Sequence, residues 1–474
     1  MTDLFCNYRL IIGGNCENSP SVIDVINPAT EVTIAQVPNA TKVQLDRCVL
    51  DAQRAFDLWR NVPQSERQQA VSKLGDLIEA NAEDFMRLLT LEQGKARAGA
   101  EWEIYGSVAW CREIAKQSIE TEVVDDTDER RVETRRLPIG VVAGITPWNF
   151  PLLLAIWKIA PALVTGNTII IKPSPFTPLC TLKFGELAQT VLPPGVLSIL
   201  SGGDDLGRWM TDHEGVGKIS FTGSTETGRK IMASASRNLK RVTLELGGND
   251  PAIVLPDVDP KAIAKDLFWA AFQNSAQFCV AAKRIYIHED VYEAVRDSLV
   301  AYAQTVKVGD GSHQGTDLGP IQNKMQFEKL KELFADTKAS GARIVLGGEI
   351  EESTGYFVPV TIVDNPPECS RVVQEEAFGP ILPLLKFSEI DDVVARANNT
   401  HYGLAASIWG RDLKLARKIA ERLEAGTVWI NEVHVFGPHI AFGGHKQSGL
   451  GVENALEGLS EYTVPQTITV KEYA

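Results

Sequence analysis

The chain is poor in cysteine, and what it has is not arranged to cross-link or to bind metal. Seven cysteines are scattered over 474 residues, at 6, 16, 48, 111, 180, 279 and 369. No two form a Cys-x-x-Cys pair and the count is odd, which argues against a disulfide framework and fits a reducing, cytoplasmic setting. Histidine is equally sparse. Its seven copies show no metal-ligand spacing, so no metal is expected. Positive charge is in deficit: 47 lysines and arginines face 61 acidic residues, a net charge of −14. Neither a phosphate backbone nor an anionic lipid surface attracts such a chain, so nucleic acid and membrane are not expected partners. The most apolar stretch, 151–164, contains Lys158 and two prolines and is too short to cross a bilayer. The first residues lack a basic segment followed by an apolar one, so no signal peptide is expected. Low-complexity tracts are absent, and no Gly-x-Gly-x-x-Gly turn follows a strand in the usual spacing.

What is present is a long soluble α/β pattern. Hydrophobic residues make up 44% and charged residues 23%, and the length exceeds one typical core, so two or three domains are expected. Residues 1–118 read as short strands followed by helices. Leu45, Cys48, Val49, Ala52, Phe56 and Trp59 share one helical face, with Thr41 and Gln44 as its capping box. Ser65 and Gln68 are expected to cap the next helix, whose apolar face is Val71, Leu74, Leu77 and Ile78. Residues 120–124 and 131–135 read as a hairpin with 125–129 as its polar tip. A hairpin alone is marginal and needs something to pack against.

From 138 onward, short apolar strands (141–146, 168–172, 197–200, 218–222, 241–245) alternate with helical stretches. This predicts a parallel, doubly wound sheet, which binds ligands beyond the carboxyl ends of its strands. A second series (251–255, 284–288, 342–346, 381–385, 405–409, 426–430) predicts another α/β domain. The tail, 461–470, is strand-like.

The chemistry centres on Cys279, in the loop Gln273-Asn274-Ser275-Ala276-Gln277-Phe278 after an apolar helix. Alone, such a cysteine reads as a small core hydrophobe. Glu245 lies among Val242, Leu244 and Leu246 at the end of a buried strand, where a carboxylate is costly unless solvated or paired. Gly247-Gly248 behind it allows close backbone approach. A thiol and a carboxyl group that meet across a cleft suit covalent catalysis. Asn149 alone reads as a turn residue, Glu376 as half of a solvated acidic pair with Glu375, and Gly223-Ser224 as an ordinary strand–helix turn able to hold a phosphate.

Seven segments, in order, resemble the aldehyde dehydrogenase superfamily. They are Thr146-Pro147-Trp148-Asn149-Phe150-Pro151, Ile171-Lys172-Pro173-Ser174, Phe221-Thr222-Gly223-Ser224 with Gly228, Leu244-Glu245-Leu246-Gly247-Gly248, Cys279, Glu375-Glu376-Ala377-Phe378-Gly379-Pro380, and Phe442-Gly443-Gly444 with Ser448-Gly449. The resemblance implies an α/β chain with three parts. A Rossmann-like dinucleotide-binding domain spans 1–118 and 138–243, with 439–455 closing back onto it. A second α/β catalytic domain spans 244–438. A small β oligomerisation arm, 119–137 and 456–474, joins subunits into a homo-dimer or homo-tetramer.

The resemblance also implies roles. Cys279 would be the nucleophile, Asn149 would donate to the oxyanion together with the backbone N–H of Cys279, and Glu245 would activate the water that hydrolyses a thioester. Relatives that pass the acyl group to coenzyme A typically lack that glutamate, so a free carboxylic acid is expected. Cofactor contacts would come from Thr146, Pro147, Trp148, Lys172, Ser174, Pro175, Gly223, Ser224, Gly247, Glu376 and Phe378. Many NAD-preferring members carry a glutamate where Pro175 stands, so NAD is expected with NADP also accepted. Phe150, Leu153, Trp157, Phe278 and Phe436 match the family's aldehyde tunnel and imply an apolar or aromatic aldehyde. Arg112, Lys116 and His439 could instead stand near the mouth and favour an anionic semialdehyde. A catalytically silent protein on the same scaffold is the rival of another class. It would be expected to have lost Cys279, Glu245 or Asn149.

Overall fold

A computed structural model describes residues 4–471; the outer ends of the expected ranges 1–118 and 456–474 lie outside the described residues. An eight-stranded sheet runs in the order 449–450, 241–245, 218–222, 141–145, 168–172, 197–199, 10–12, 15–17. Its five central strands are parallel, and antiparallel strands close both edges. Thr168–Lys172 shows why: Ile169, Ile170 and Ile171 are buried on both faces of the sheet, as a strand covered by helices on either side requires. In chain order the parallel strands lie 5-4-1-2-3, so the winding reverses between 141–145 and 218–222. At that reversal the two connections leave in opposite directions and a crevice opens beyond the strand ends, a Rossmann-like arrangement. Thr146–Asn149 and Gly223-Ser224 therefore flank the crevice.

The second sheet has seven strands, ordered 343–346, 361–364, 381–387, 282–288, 250–254, 405–409, 427–430. All pair in parallel except Arg343–Leu346, which runs antiparallel to Thr361–Asp364. The strand Thr361–Asp364 escapes the sequence reading because only four residues pair, with Pro359, Pro366 and Pro367 close by. The boundary expected at 243/244 falls inside the strand Arg241–Glu245. Leu244 and Glu245 still pair with Phe221 and Thr222 in the first sheet.

The helix Pro151–Val164 is buried along its whole length. Lys158 is tolerated there because Glu453 lies 2.9 Å from its ammonium, both 1% exposed. Helix Lys42–Trp59 has the expected capping box of Thr41 and Gln44. The expected cap at Ser65 is wrong. That helix begins at Gln64 behind Pro63, no side chain caps it, and Gln68 instead donates to the Gln117 carbonyl. Ser65 already lies inside the first helical turn, so it cannot stand at the cap position ahead of it. The hairpin pairs Glu122–Asp126 with Arg130–Pro138, so Asp125 and Asp126 belong to the strand and the tip is only 127–129. Its packing partner is the tail strand Thr463–Lys471, which pairs along the whole of Arg130–Pro138. The outer edge, Glu122–Asp126, carries exposed Val123 and Val124.

Candidate active site

Cys279 is presented by a strained loop. After helix Pro260–Phe272 the chain turns through Asn274, Ser275 and Ala276, all with left-handed φ of 53°, 55° and 59°. Three such non-glycine residues in a row persist only where the surroundings over-determine them. Here Ser275 Oγ donates to the Gly319 carbonyl at 2.7 Å, Gln277 Nε2 donates to the carbonyls of Asn274 and Pro320, and Gln277 Oε1 accepts from the Gln322 amide at 2.8 Å. Behind the thiol, Lys283 Nζ donates to the Cys279 carbonyl at 2.6 Å. Burial pushes the thiol up to about 12. The Lys283 ammonium opposes that rise, while Glu245, Asp250 and Glu376 add to it.

Glu245 ends the strand Arg241–Glu245, paired with Thr222 on one side and Gly449 on the other. Its carboxyl is buried and Oε1 has no hydrogen-bond partner. Burial holds it well above the usual carboxylate range; nearby Glu453 pushes it the same way and Lys158 opposes. Glu245 and Cys279 line one cavity together with Phe150, Leu153, Trp157, Phe278 and Phe436, the five expected tunnel residues. The rings pack edge-on or tilted, Phe150 to Phe278 at 4.8 Å and Trp157 to Phe436 at 6.4 Å. Trp102, Leu154, Thr222 and Phe442 complete the wall. Sequence reasoning missed Trp102, whose only signal is a large aromatic on the half-exposed face of helix Arg97–Ile114.

Arg112, Lys116 and His439 do not line this cavity, contrary to expectation. Arg112 turns to Asp76 and Glu79, at 2.7 and 2.6 Å, and Lys116 pairs with Glu113 at 2.5 Å. His439 is exposed. Their carboxylate partners and solvent keep these side chains at the surface.

Asn149 reaches the Cys279 loop: its Nδ2 donates to the Gln277 carbonyl at 3.0 Å. A primary amide has two protons, so one remains for a ligand. The turn reading alone does not account for this buried, aimed side chain, whose Oδ1 is also unpartnered. A thiol, a carboxyl group and an amide donor grouped at an apolar cavity can add to a carbonyl, stabilise the oxyanion and activate water.

On the crevice side, Lys172 ends its strand almost fully buried. Its nearest acceptor is the Pro173 carbonyl at 3.5 Å, and burial pulls its ammonium down to about 8. No carboxylate among the described residues forms an ion pair with it. Thr146 Oγ1 is buried without a partner. Orphaned donors of this kind fit a hydroxyl- or phosphate-bearing ligand. Ser224 is partly spoken for: its Oγ caps helix Thr225–Ala235 by accepting from the Thr227 amide at 3.3 Å. The turn offers a phosphate backbone N–H groups more than that hydroxyl. Pro147 and Trp148 are half-buried, and Trp148 meets Phe378 edge-on at 5.3 Å. Phe378 itself has a left-handed φ of 51°. Ser174 Oγ accepts from the Phe176 amide, leaving Pro175 half-buried on the same loop. Glu376 is not half of an acidic pair. Glu375 pairs with Arg371, while Glu376 turns inward to accept from the Gly248 amide at 3.1 Å and lies 3.5 Å from Lys283. A Cβ at Gly247 would overlap the Glu376 carboxylate, so a larger residue there would push that side chain aside.

Comparison with known proteins agrees with this geometry. The model of the aldehyde dehydrogenase family matches residues 16–468. The chain is 39% identical to phenylacetaldehyde dehydrogenase of Pseudomonas fluorescens over 98% of its own length and 96% of the relative's. It is 40% identical to human retinaldehyde dehydrogenase 3, over 94% and 89%. Among solved structures it superposes on Staphylococcus aureus betaine aldehyde dehydrogenase with NAD+ at a TM-score of 0.94, with 33% identity over 98% of this chain and 94% of the other. An E. coli NADP-dependent enzyme gives 0.96, with 35% identity over 99% of both. The strained cysteine loop, the buried glutamate and the reversed parallel sheet thus sit in a chain that belongs to the aldehyde dehydrogenase family, an oxidoreductase acting on aldehydes.

Proposed function

We propose that this enzyme oxidises an apolar or aromatic aldehyde to the free carboxylic acid, using NAD and accepting NADP. The observation that carries this reading is the shared cavity: Cys279 and Glu245 face one chamber whose remaining wall is aromatic and aliphatic apart from Thr222. Cys279 Sγ, its proton lost to solvent, adds to the aldehyde carbon as the thiolate, and the free amide proton of Asn149 with the Cys279 backbone N–H takes up the charge on oxygen. A nicotinamide dinucleotide bound in the crevice supplies the hydride acceptor. Lys172 and Thr146 would hold its adenosine half, and Glu376 and Phe378 the nicotinamide half. Glu245 then takes a proton from the water that hydrolyses the thioester on Sγ, which favours an acid product over transfer to coenzyme A.

The wall also separates the substrate classes. Among the described residues no lysine, arginine or histidine lines the chamber, so a carboxylate on the substrate would be buried unpaired at a cost of several kcal/mol. A panel of aldehydes assayed with both cofactors tests this. Phenylacetaldehyde is expected to exceed succinic semialdehyde in kcat/KM by at least about a hundredfold. Equal or reversed values would favour the semialdehyde reading, and no turnover of any aldehyde would favour a silent scaffold.

Cofactor choice follows from Pro175. The substitution Pro175→Glu would place a carboxylate in the crevice with Lys172. It would accept from ribose hydroxyls and repel a 2′-phosphate. The ratio of kcat/KM for NAD over NADP should rise about tenfold or more. An unchanged ratio, or a wild type that rejects NADP, would contradict this account.

The same reading makes the three-stranded arm an interface between copies, in a homo-dimer or homo-tetramer located in the cytoplasm. Its exposed outer edge, with Val123 and Val124, supports this. A chain ending at residue 463, which keeps the buried Tyr462 and Thr463, should lose mass by light scattering while keeping its domains folded; an unchanged oligomer would contradict the interface.

A further inference from the structure

One buried ion pair beside the site has no part in the chemistry above. Lys95 and Glu103 lie 2.5 Å apart with side chains 2% and 0% exposed. Burying two charges is expensive, and such a pair stabilises a fold little over an apolar replacement, so its contacts indicate what it is for. The Lys95 ammonium donates to the backbone carbonyl of Asn149 at 2.8 Å and lies 4.0 Å from the centre of the Phe150 ring. The other oxygen of Glu103 accepts from the amides of Leu152 and Leu153, at 2.9 and 3.3 Å, in the first turn of helix Pro151–Val164. The pair therefore grips the chain on both sides of Phe150.

The Asn149 peptide is a junction. Its carbonyl also accepts from Asn274 Nδ2 at 3.3 Å, and that same amide group reaches the Gln277 carbonyl at 3.3 Å. The Asn149 side chain donates to the same Gln277 carbonyl. The amide that faces the reacting oxygen is thus aimed by its own backbone, which Lys95 holds from one side and the cysteine loop from the other. Asn274 supplies a neutral, longer bond; Lys95 supplies the short, charged one.

We propose that Lys95 is a positioning residue for aldehyde oxidation, holding the Asn149 carbonyl so that the Asn149 amide stays registered against Cys279. This rests on the reading of Asn149 as the oxyanion donor. A displacement of about 1 Å at such a group can cost about a hundredfold in rate without altering substrate binding.

The test uses the double variant Lys95→Met/Glu103→Gln, which removes both charges while the glutamine oxygen still accepts from Leu152. Lys95→Met is also made on the wild-type and Asn149→Ala backgrounds. Thermal melting, KM and kcat are measured for each. The double variant is expected to melt near wild type and keep KM within about threefold, while kcat falls about tenfold or more. On the Asn149→Ala background, Lys95→Met should cost less than about twofold further, because the two act through one group. A double variant with wild-type kcat, or a Lys95 effect that multiplies in full with that of Asn149→Ala, overturns the proposal. If the double variant does not fold, Lys95→Met alone decides: kcat lower by about tenfold with KM within about threefold supports the proposal, and wild-type kcat overturns it. Wild-type kcat in Asn149→Ala would instead remove the oxyanion reading. A slow Asn149→Ala beside a fast double variant leaves that reading standing and removes only the role of Lys95.

Discussion

Cys279→Ser is expected to abolish aldehyde oxidation, with kcat lower by about a thousandfold or more, while the melting temperature and dinucleotide binding stay near wild type. Serine fills nearly the same volume in the loop, and the bonds that hold the loop come from Ser275, Gln277 and Lys283 rather than from the thiol. What changes is the nucleophile: a hydroxyl ionises far less readily than a thiol. The thiol is itself handicapped, pushed up to about 12 by burial. A raised value means that the reactive thiolate grows with rising pH. Inactivation of wild type by iodoacetamide should therefore quicken about tenfold per pH unit through the neutral and mildly alkaline range. A serine variant with wild-type turnover would remove Cys279 from the chemistry. A flat alkylation profile across that range would mean that the thiol is already ionised in solution.

Glu245→Gln should uncouple the two halves of the reaction. The first turnover survives, because addition to the aldehyde uses Cys279 and Asn149. Hydrolysis then loses its base and slows by about a hundredfold to ten-thousandfold. Rapid mixing should show a burst of reduced cofactor equal to the enzyme present, followed by a slow phase, and intact-mass measurement should show an acylated chain. The pH dependence has a definite sign. Burial and Glu453 hold the Glu245 carboxyl well above the usual range, so its basic form appears only as pH rises. Wild-type deacylation should climb with pH, and the glutamine variant should lose that climb. Unchanged steady-state turnover with no acylated species would assign the water-activating role to another group.

Much of the scaffold was legible in the sequence because its signals are local. The parallel strands announce themselves as short β-branched runs; Thr168–Lys172, Lys218–Thr222 and Arg241–Glu245 have the same ends in sequence and structure. Thr41 and Gln44 are three residues apart, so their capping box needs nothing distant. Misreadings came where a local signal competed with a distant one. Ser65 looks like a cap, but the helix has already begun at Gln64. Thr361–Asp364 is too short to stand out until its neighbours 343–346 and 381–387 supply the pairing.

The sequence by itself determined the family, the order of the motifs and the residues worth weighing as nucleophile, acid and donor, because each motif is a contiguous string whose chemistry is written in its side chains. Only the tertiary structure decided which of those side chains meet. Residues as distant as Trp102, Phe278 and Phe436 share one apolar wall with Cys279 and Glu245, and Arg112 is drawn off to Asp76 and Glu79. It alone turned Glu376 inward against Gly247 and brought Lys95 under Asn149. Burial, charge pairing and hydrogen-bond reach are properties of the space between segments, and that space exists only once the two sheets have closed on each other.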